Sequence, residues 1–339
     1  MHNRNKGLVG ASRNSVGVSR RQFLQGAAAL AALTPWGAQA QGLSSRPVRL
    51  IVPFTAGAGP DIVARLLAPK LQAKWNQPFV VENRPGASGT IGSDAVAKAT
   101  PDGHTMLVGP ASIVSVPHLY PKLPYDVTKS LAPVIAIGST SMALVVHHAV
   151  PVNTVQEFIA YAKARPGTLN YGSPGSGTHH HLCMELFKQQ TGIDVVHVPY
   201  KGSSGATNDL IAGHIPTMFV PVHIALPMLK GGQIKLLGVT FRDRHPLFKE
   251  FPTLHEQGIT GYDVDLWLGL WTTAGVSAEI ILKYNAAVRE LIAQPDMAQA
   301  LANQGLIATP GTPEAFGKLV VEDYERWGRV IRAANIKAD

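Results

Sequence analysis

From about residue 48 onward, short apolar runs alternate with longer segments whose apolar positions recur at helical spacing. Val48–Pro53 reads as a strand, and Asp61–Trp75 as a helix with Ile62, Leu66 and Leu71 on its apolar side. Phe79–Val81 is again strand-like, Thr90–Ala99 helical, and Thr105–Gly109, Val134–Gly138 and Ala143–His147 are strands. Thr154–Ala164 opens with Thr154-x-x-Glu157, a capping box that satisfies free N–H groups at a helix start. Leu169–Gly172, Val195–Pro199 and Leu236–Thr240 read as further strands with helical stretches between them. Strands alternating with helices predict parallel α/β layers. The last third turns helical, at Ser277–Ala293 and at Pro313–Ile331, the latter with Phe316, Val320, Trp327 and Val330 in one stripe. The pattern therefore predicts two α/β lobes with a helical C-terminal return.

The chain has 339 residues, enough for two domains of ordinary size. Only 15% of them are charged and 45% are hydrophobic, which excludes a disordered protein. The net charge of +8 suggests an acidic partner, yet residues 1–40 hold Arg4, Lys6, Arg13, Arg20 and Arg21 and no acid. Without them 25 Lys and Arg face 22 acids, so the basic excess is mostly a leader and no nucleic-acid footprint. Residues 1–40 read as a secretory signal: a basic start, Ser19-Arg20-Arg21-Gln22-Phe23-Leu24-Gln25 in the twin-arginine pattern, a short Ala-rich apolar segment, and Ala38-Gln39-Ala40 as cleavage site. Its longest apolar stretch, Gly26 to Trp36, is shorter than the ~20 residues of a membrane span. Cleavage after Ala40 leaves a periplasmic product beginning at Gln41. Cys183 is alone, which precludes an intrachain disulfide.

The chain carries no complete enzyme motif of the common kinds. Gly57-Ala58-Gly59 follows a strand and opens a helix, but the third glycine of a dinucleotide fingerprint is replaced by Ile62. No Gly-Lys-Ser/Thr or His-Glu-x-x-His is present, and Gly202-Ser203-Ser204-Gly205-Ala206 only approximates a nucleophile elbow. His179-His180-His181 cannot converge on one ion, because consecutive helix residues point ~100° apart. His181 and Glu185 offer two ligands without a third, so the run reads as a polar helix start, with no metal and no cofactor. Three small-residue loops remain: Phe54–Asp61, Pro85–Thr90 and Gly172–Thr178. In a parallel sheet such loops gather at the carboxyl ends of strands, where free helix-start amides attract anions. The loops suit binding better than catalysis.

Those same residues resemble a known family. Pro53-Phe54-Thr55-Ala56-Gly57 through Asp61-Ile62-Val63-Ala64-Arg65 is similar to the opening motif of the tripartite tricarboxylate transporter receptors, the Bug-type solute-binding proteins. Val81–Gly92, Pro101-Asp102-Gly103-His104-Thr105, Leu169–Ser173, Val198–Gly202 with Asp209-Leu210, and Phe251-Pro252-Thr253 resemble its later motifs, so the likeness runs from about Pro47 to Ile336. The resemblance implies an α/β, two-lobed periplasmic binding protein of type II, a Venus flytrap with two crossovers. Lobe one would be residues 41–143 with the return 266–339, and lobe two 144–265. It implies a small carboxylate held by Phe54, Ala56, Gly57, Asp61, Ser88, Gly89 and Thr90 from lobe one. From lobe two it implies Ser173, Ser176, Gly177, Thr178 and Asp209. Asp61 reads equally as a helix cap. Asp209 reads either as acceptor for a ligand hydroxyl or ammonium, or as a cap or solvated residue. A side chain at Gly177 is expected to block the ligand with little loss of stability. Ala58 stands where the family commonly has glycine and is expected to restrict φ there. The implied partners are the large and small subunits of a membrane permease, with a sensor kinase as the alternative and the receptor a monomer. A secreted α/β hydrolase is the rival reading from another class.

Overall fold

The structure is a computed structural model and describes residues 46–120, 122–244 and 246–337; the leader and its cleavage site lie outside the described residues. The chain forms a first sheet from β1 (Val48–Val52), β2 (Phe79–Asn83) and β3 (Thr105–Pro110), all parallel, with helix α1 (Gly59–Trp75) after β1 and α2 (Thr90–Ala97) after β2. A short helix α3 (Ser112–Ser115) leads on to β4, which runs unbroken from Leu131 to His147. The two strands expected at Val134–Gly138 and Ala143–His147 are thus one. Ser139, Thr140 and Ser141 interrupt the apolar pattern between them, yet all three are buried and stay in the ladder.

A second sheet repeats the plan. It contains β5 (Leu169–Ser173), β6 (Val195–Pro199) and β7 (Thr217–Pro221) in parallel, with helices α4 (Val155–Lys163), α5 (His179–Thr191), α6 (Ser203–Ala212) and α7 (Val222–Lys230) around them, and β8 (Ile234–Val239). The first half of β4 pairs antiparallel with β9 (Asp265–Thr273) in the first sheet, whereas its second half pairs with β7 and β8 in the second. The chain then returns through α8 (Ala278–Ile292), α9 (Pro295–Ala302), the short β10 (Ile307–Ala308) against β4, and α10 (Pro313–Ala333). No helix among the described residues is long and apolar enough to cross a membrane.

The two sheets meet at a dry knot of hydroxyls. Ser141 and Thr240 are fully buried; Thr240 N–H donates to Ser141 Oγ at 3.0 Å, Met142 N–H to Thr240 Oγ1 at 3.0 Å, and Thr240 Oγ1–H to Val264 O at 2.7 Å. Both passages of the chain between the sheets are therefore tied together without a charge.

Local signals explain most element ends. In the capping box, Glu157 N–H donates to Thr154 Oγ1 at 3.1 Å, while the Glu157 carboxylate accepts from Asn153 N–H at 2.6 Å. Helix α1 starts at Gly59-Pro60, where a proline costs no hydrogen bond, and stops at Asn76 in the left-handed region. Its buried side is Val63, Ala64, Leu67 and Leu71, so the expected stripe was rotated: Ile62 and Leu66 remain partly exposed. The stripe of α10 is as read, with Phe316, Val320, Trp327 and Val330 buried.

Phe316 is wedged between Trp267 and Trp271 of β9, at 5.4 Å and 4.9 Å between ring centroids. A Cβ on Gly269 would lie 2.2 Å from Phe316 Cζ, and the flanking indoles block the ring's escape. Gly269→Ala should therefore destabilise the protein by about 1–3 kcal/mol, the usual cost of overpacking. Chemical denaturation checks this; an unchanged midpoint would show that α10 slides freely over β9.

Candidate functional site

The first loop is built around Asp61. Its carboxylate is 2% exposed and accepts from Gly57 N–H at 2.8 Å, from Asn83 Nδ2 at 2.9 Å and from Arg65 Nε at 3.1 Å. Burial pushes this carboxyl up, but the bonds from Arg65, Gly57 and Asn83 outweigh it and hold it below the usual carboxylate range. Asp61 thus shapes the loop from beneath; it lies in the first turn of α1 and bonds back to Gly57, whereas the N-cap position is Ala58. Gly57 adopts φ +82°, where its amide turns inward to Asp61. The amides of Ala56 and Gly59 donate to no acceptor among the described residues. Ala58 sits at φ −70°, an ordinary value for any residue, so the expected restriction does not arise.

The second loop carries strain. Ala87 and Ser88 both adopt left-handed backbone, at φ +46° and +54°, between Gly86 and Gly89. Each such non-glycine residue costs about 1–2 kcal/mol, and such costs concentrate at binding sites. Ser88 Oγ lies 3.3 Å from Tyr120 Oη, and Gly89 lies against the Phe54 ring, so the two loops form one surface. Thr90 turns away: it is 9% exposed and its hydroxyl lies against half-buried Tyr125.

The third loop repeats the design of the first on the second sheet. Gly177, at φ +74°, donates its N–H to His181 Nδ1 at 3.1 Å. In each lobe a glycine two residues ahead of the helix thus donates to the side chain four positions on, Asp61 in one case and His181 in the other. The first i→i−4 bond of α5 runs from Leu182 N–H to Thr178 O, so the preceding amides point off the helix end. Thr178 Oγ1–H donates to Gly175 O at 2.8 Å. Ser173 is fully buried under the loop, accepts from Gly175 N–H at 3.1 Å and lies 2.6 Å from His197 Nε2. Ser173 is therefore a support; Ser176 remains partly exposed at the loop's crest.

The histidine run is not a solvated helix start. His179 is 3% exposed and meets the Trp327 ring edge-on at 5.5 Å; His181 stacks on His197 at 3.7 Å. No group of three metal-binding side chains occurs among the described residues. Asp209 sits near the end of α6, accepting from Tyr200 Oη at 2.6 Å and lying 3.2 Å from His214 Nδ1. Hydrogen bonds from Tyr200 and then His214 keep its carboxyl below the ordinary range, and burial with the Asp209 bond pushes Tyr200 up to about 12. Both Asp209 oxygens are thus engaged within its own lobe.

The lobes touch where sequence reasoning had no signal. A Cβ on Gly177 would lie 2.1 Å from Leu119 Cδ1, so Leu119 of the segment after α3 lies against the third loop. With Tyr120 beside Ser88, Leu119 and Tyr120 join the loops of both lobes. Phe54, Ser88, Gly89 and Gly177 are thereby joined through Leu119 and Tyr120, while Asp61, Thr90 and Ser173 are drawn into the lobes and Asp209, its side chain 37% exposed, is bonded at the surface of its own.

The comparisons with known proteins agree with this architecture. Residues 63–336 match the tripartite tricarboxylate transporter family receptor. Protein BugT of Bordetella pertussis is 32% identical over 295 residues, 86% of this chain and 90% of BugT. The structure of R. palustris Rpa4515 with adipate superposes with a TM-score of 0.76 at 34% identity, covering 87% of this chain and 99% of that one. MatC of Rhodopseudomonas palustris with bound malate gives 0.71 at 31%, covering 84% and 99%. With a glycine-latched loop at a helix start in each sheet, and these relatives matching nearly end to end, the chain belongs to the tripartite tricarboxylate transporter receptor family, whose members are periplasmic solute-binding proteins and not enzymes.

Proposed function

We propose that the protein holds a small organic carboxylate between its lobes in the periplasm and delivers it to a tripartite tricarboxylate-type permease with a large and a small membrane subunit. The observation that carries this reading is the matched pair of loops, one per lobe, each latched by a left-handed glycine at a helix start. Their outward amides supply partial positive charge without a cation. The adipate and malate held by the two solved relatives support an acid as ligand. The leader read at residues 1–40 supports export, and the lobes turn about the Ser141–Thr240 seam. Affinity for the closed form then depends on contacts made to both lobes at once.

A thermal-shift screen of the purified protein against a panel of carboxylates, with uncharged amides of the same acids as controls, tests the reading. A binding acid at one hundred times its Kd stabilises the native state by about 2.7 kcal/mol, a shift of several degrees. Equal shifts with the amides, or none with any acid, would reject it.

A further inference from the structure

A cavity of about 440 Å³ lies beside the first loop, between the first sheet and the start of α7. Gly57 and Gly59 form one end, and Ile62, Leu266, Leu268, Leu306 and Ile224 make most of the rest. Its polar side chains are Thr140, His223 and Gln304, and no acid, lysine or arginine lines it. Burial lowers the His223 pKa, so that ring is neutral. Thr140 is 3% exposed and its Oγ1 has no hydrogen-bond partner among the described residues. The cavity is also where the rotated face of α1 finds its use, since Ile62 lies on its wall and not in the core.

The volume lies within the range of small-molecule sites, roughly 300–1,000 Å³. At the roughly 30 Å³ that a water occupies, it holds about fifteen non-hydrogen atoms. A second carboxylate placed here would lose its hydration and gain no cation, whereas a hydrocarbon chain loses nothing polar. Resting on the reading of the protein as a carboxylate receptor, we infer that this cavity receives the apolar tail of a monocarboxylic acid whose head is held by the neighbouring loop amides, those of Ala56 and Gly59 among them. The preferred ligand class is then a monocarboxylate with an aliphatic or aryl tail. A short hydroxylated di- or tricarboxylate fits the cavity poorly.

Isothermal titration with butanoate, hexanoate and octanoate tests the assignment. Each buried methylene contributes about 0.8 kcal/mol, so affinity should rise about fourfold per carbon and about 16-fold between successive members. Gly59→Leu is the decisive variant: Gly59 is not in the left-handed region, a Cβ there meets nothing within 4 Å, and the amide is kept. It should fill the cavity, hold the melting temperature and collapse the chain-length series to near unity. Ile224→Asn, at a 43% exposed position on the opposite wall, should flatten the series independently. A flat series in the unaltered protein, with succinate or malate binding intact, would overturn the tail pocket and leave the receptor reading standing. A steep series that survives Gly59→Leu would place the tail elsewhere and equally overturn it. Failure of every carboxylate to bind would instead remove the receptor reading on which the inference rests.

Discussion

Gly177→Ala should weaken ligand binding at least tenfold and lower the melting temperature by several degrees. Gly177 holds φ +74°, a conformation that costs an alanine about 1–2 kcal/mol. Its new Cβ would stand 2.1 Å from Leu119 Cδ1 and 3.2 Å from Cδ2 and Cγ. The nearest atom is the end of a flexible side chain, so Leu119 yields, and Tyr120 moves with it away from Ser88. A change in one lobe thereby displaces a loop of the other. The expectation from sequence, that stability would scarcely change, is revised upward by the backbone term. Leu119→Ala in the same chain should restore much of the affinity but not the lost stability, because only the collision is relieved. Calorimetric titration of the two single variants and the double variant, with their melting temperatures, checks this; an affinity loss that Leu119→Ala leaves intact would place the damage outside the Leu119 contact.

The second large effect concerns pH. Burial, aided by the charges of His180 and Arg326, lowers the His179 pKa from 6.5 to about 3. Below 6.5 the unfolded chain takes up a proton that the native state refuses. Stability is therefore complete above that value and falls by about 1.4 kcal/mol per pH unit as the solution is acidified toward 3. His180, lowered to about 4 by burial, acts in the same direction. Asp265 opposes them: burial, then Asp263 and Asp323, raises it to about 7, so the native state gains stability as pH falls from 7 toward 3.8. Asp323, also raised by burial, opposes them too, but burial lowers His118, His147 and His223 as well; the histidines outnumber the two carboxyls, and the melting temperature should decline between pH 6.5 and 4.5. His179→Phe keeps an aromatic edge for Trp327 and should flatten that decline by about one proton's worth. Equal slopes in the variant and the parent would show that His179 is hydrated.

The strand–helix alternation, the capping box at Thr154 and the α10 stripe were legible because each is written in neighbouring residues. The continuity of β4 was not. Ser139–Ser141 look like a break unless one knows that Thr240, about 100 residues later, bonds Ser141 and that β9 keeps all three in its ladder. The loops were found for the same local reason, small residues after strands. Which of their groups face outward was not legible, since Asp61 and Ser173 are turned inward by Asn83 and His197, distant in sequence. The buried histidine run misled because its environment is supplied by Trp327 of the last helix. Leu119 and Tyr120 carry no motif and gain meaning only from the loops they meet.

Strand β4 belongs to neither lobe, since the same run of backbone closes both sheets. Melting either half strips partners from the other, which couples them into one cooperative unit despite the two-part plan. On the proposed receptor reading, opening of the jaws would flex a continuous ribbon, whose stiffness would set how wide they stand at rest.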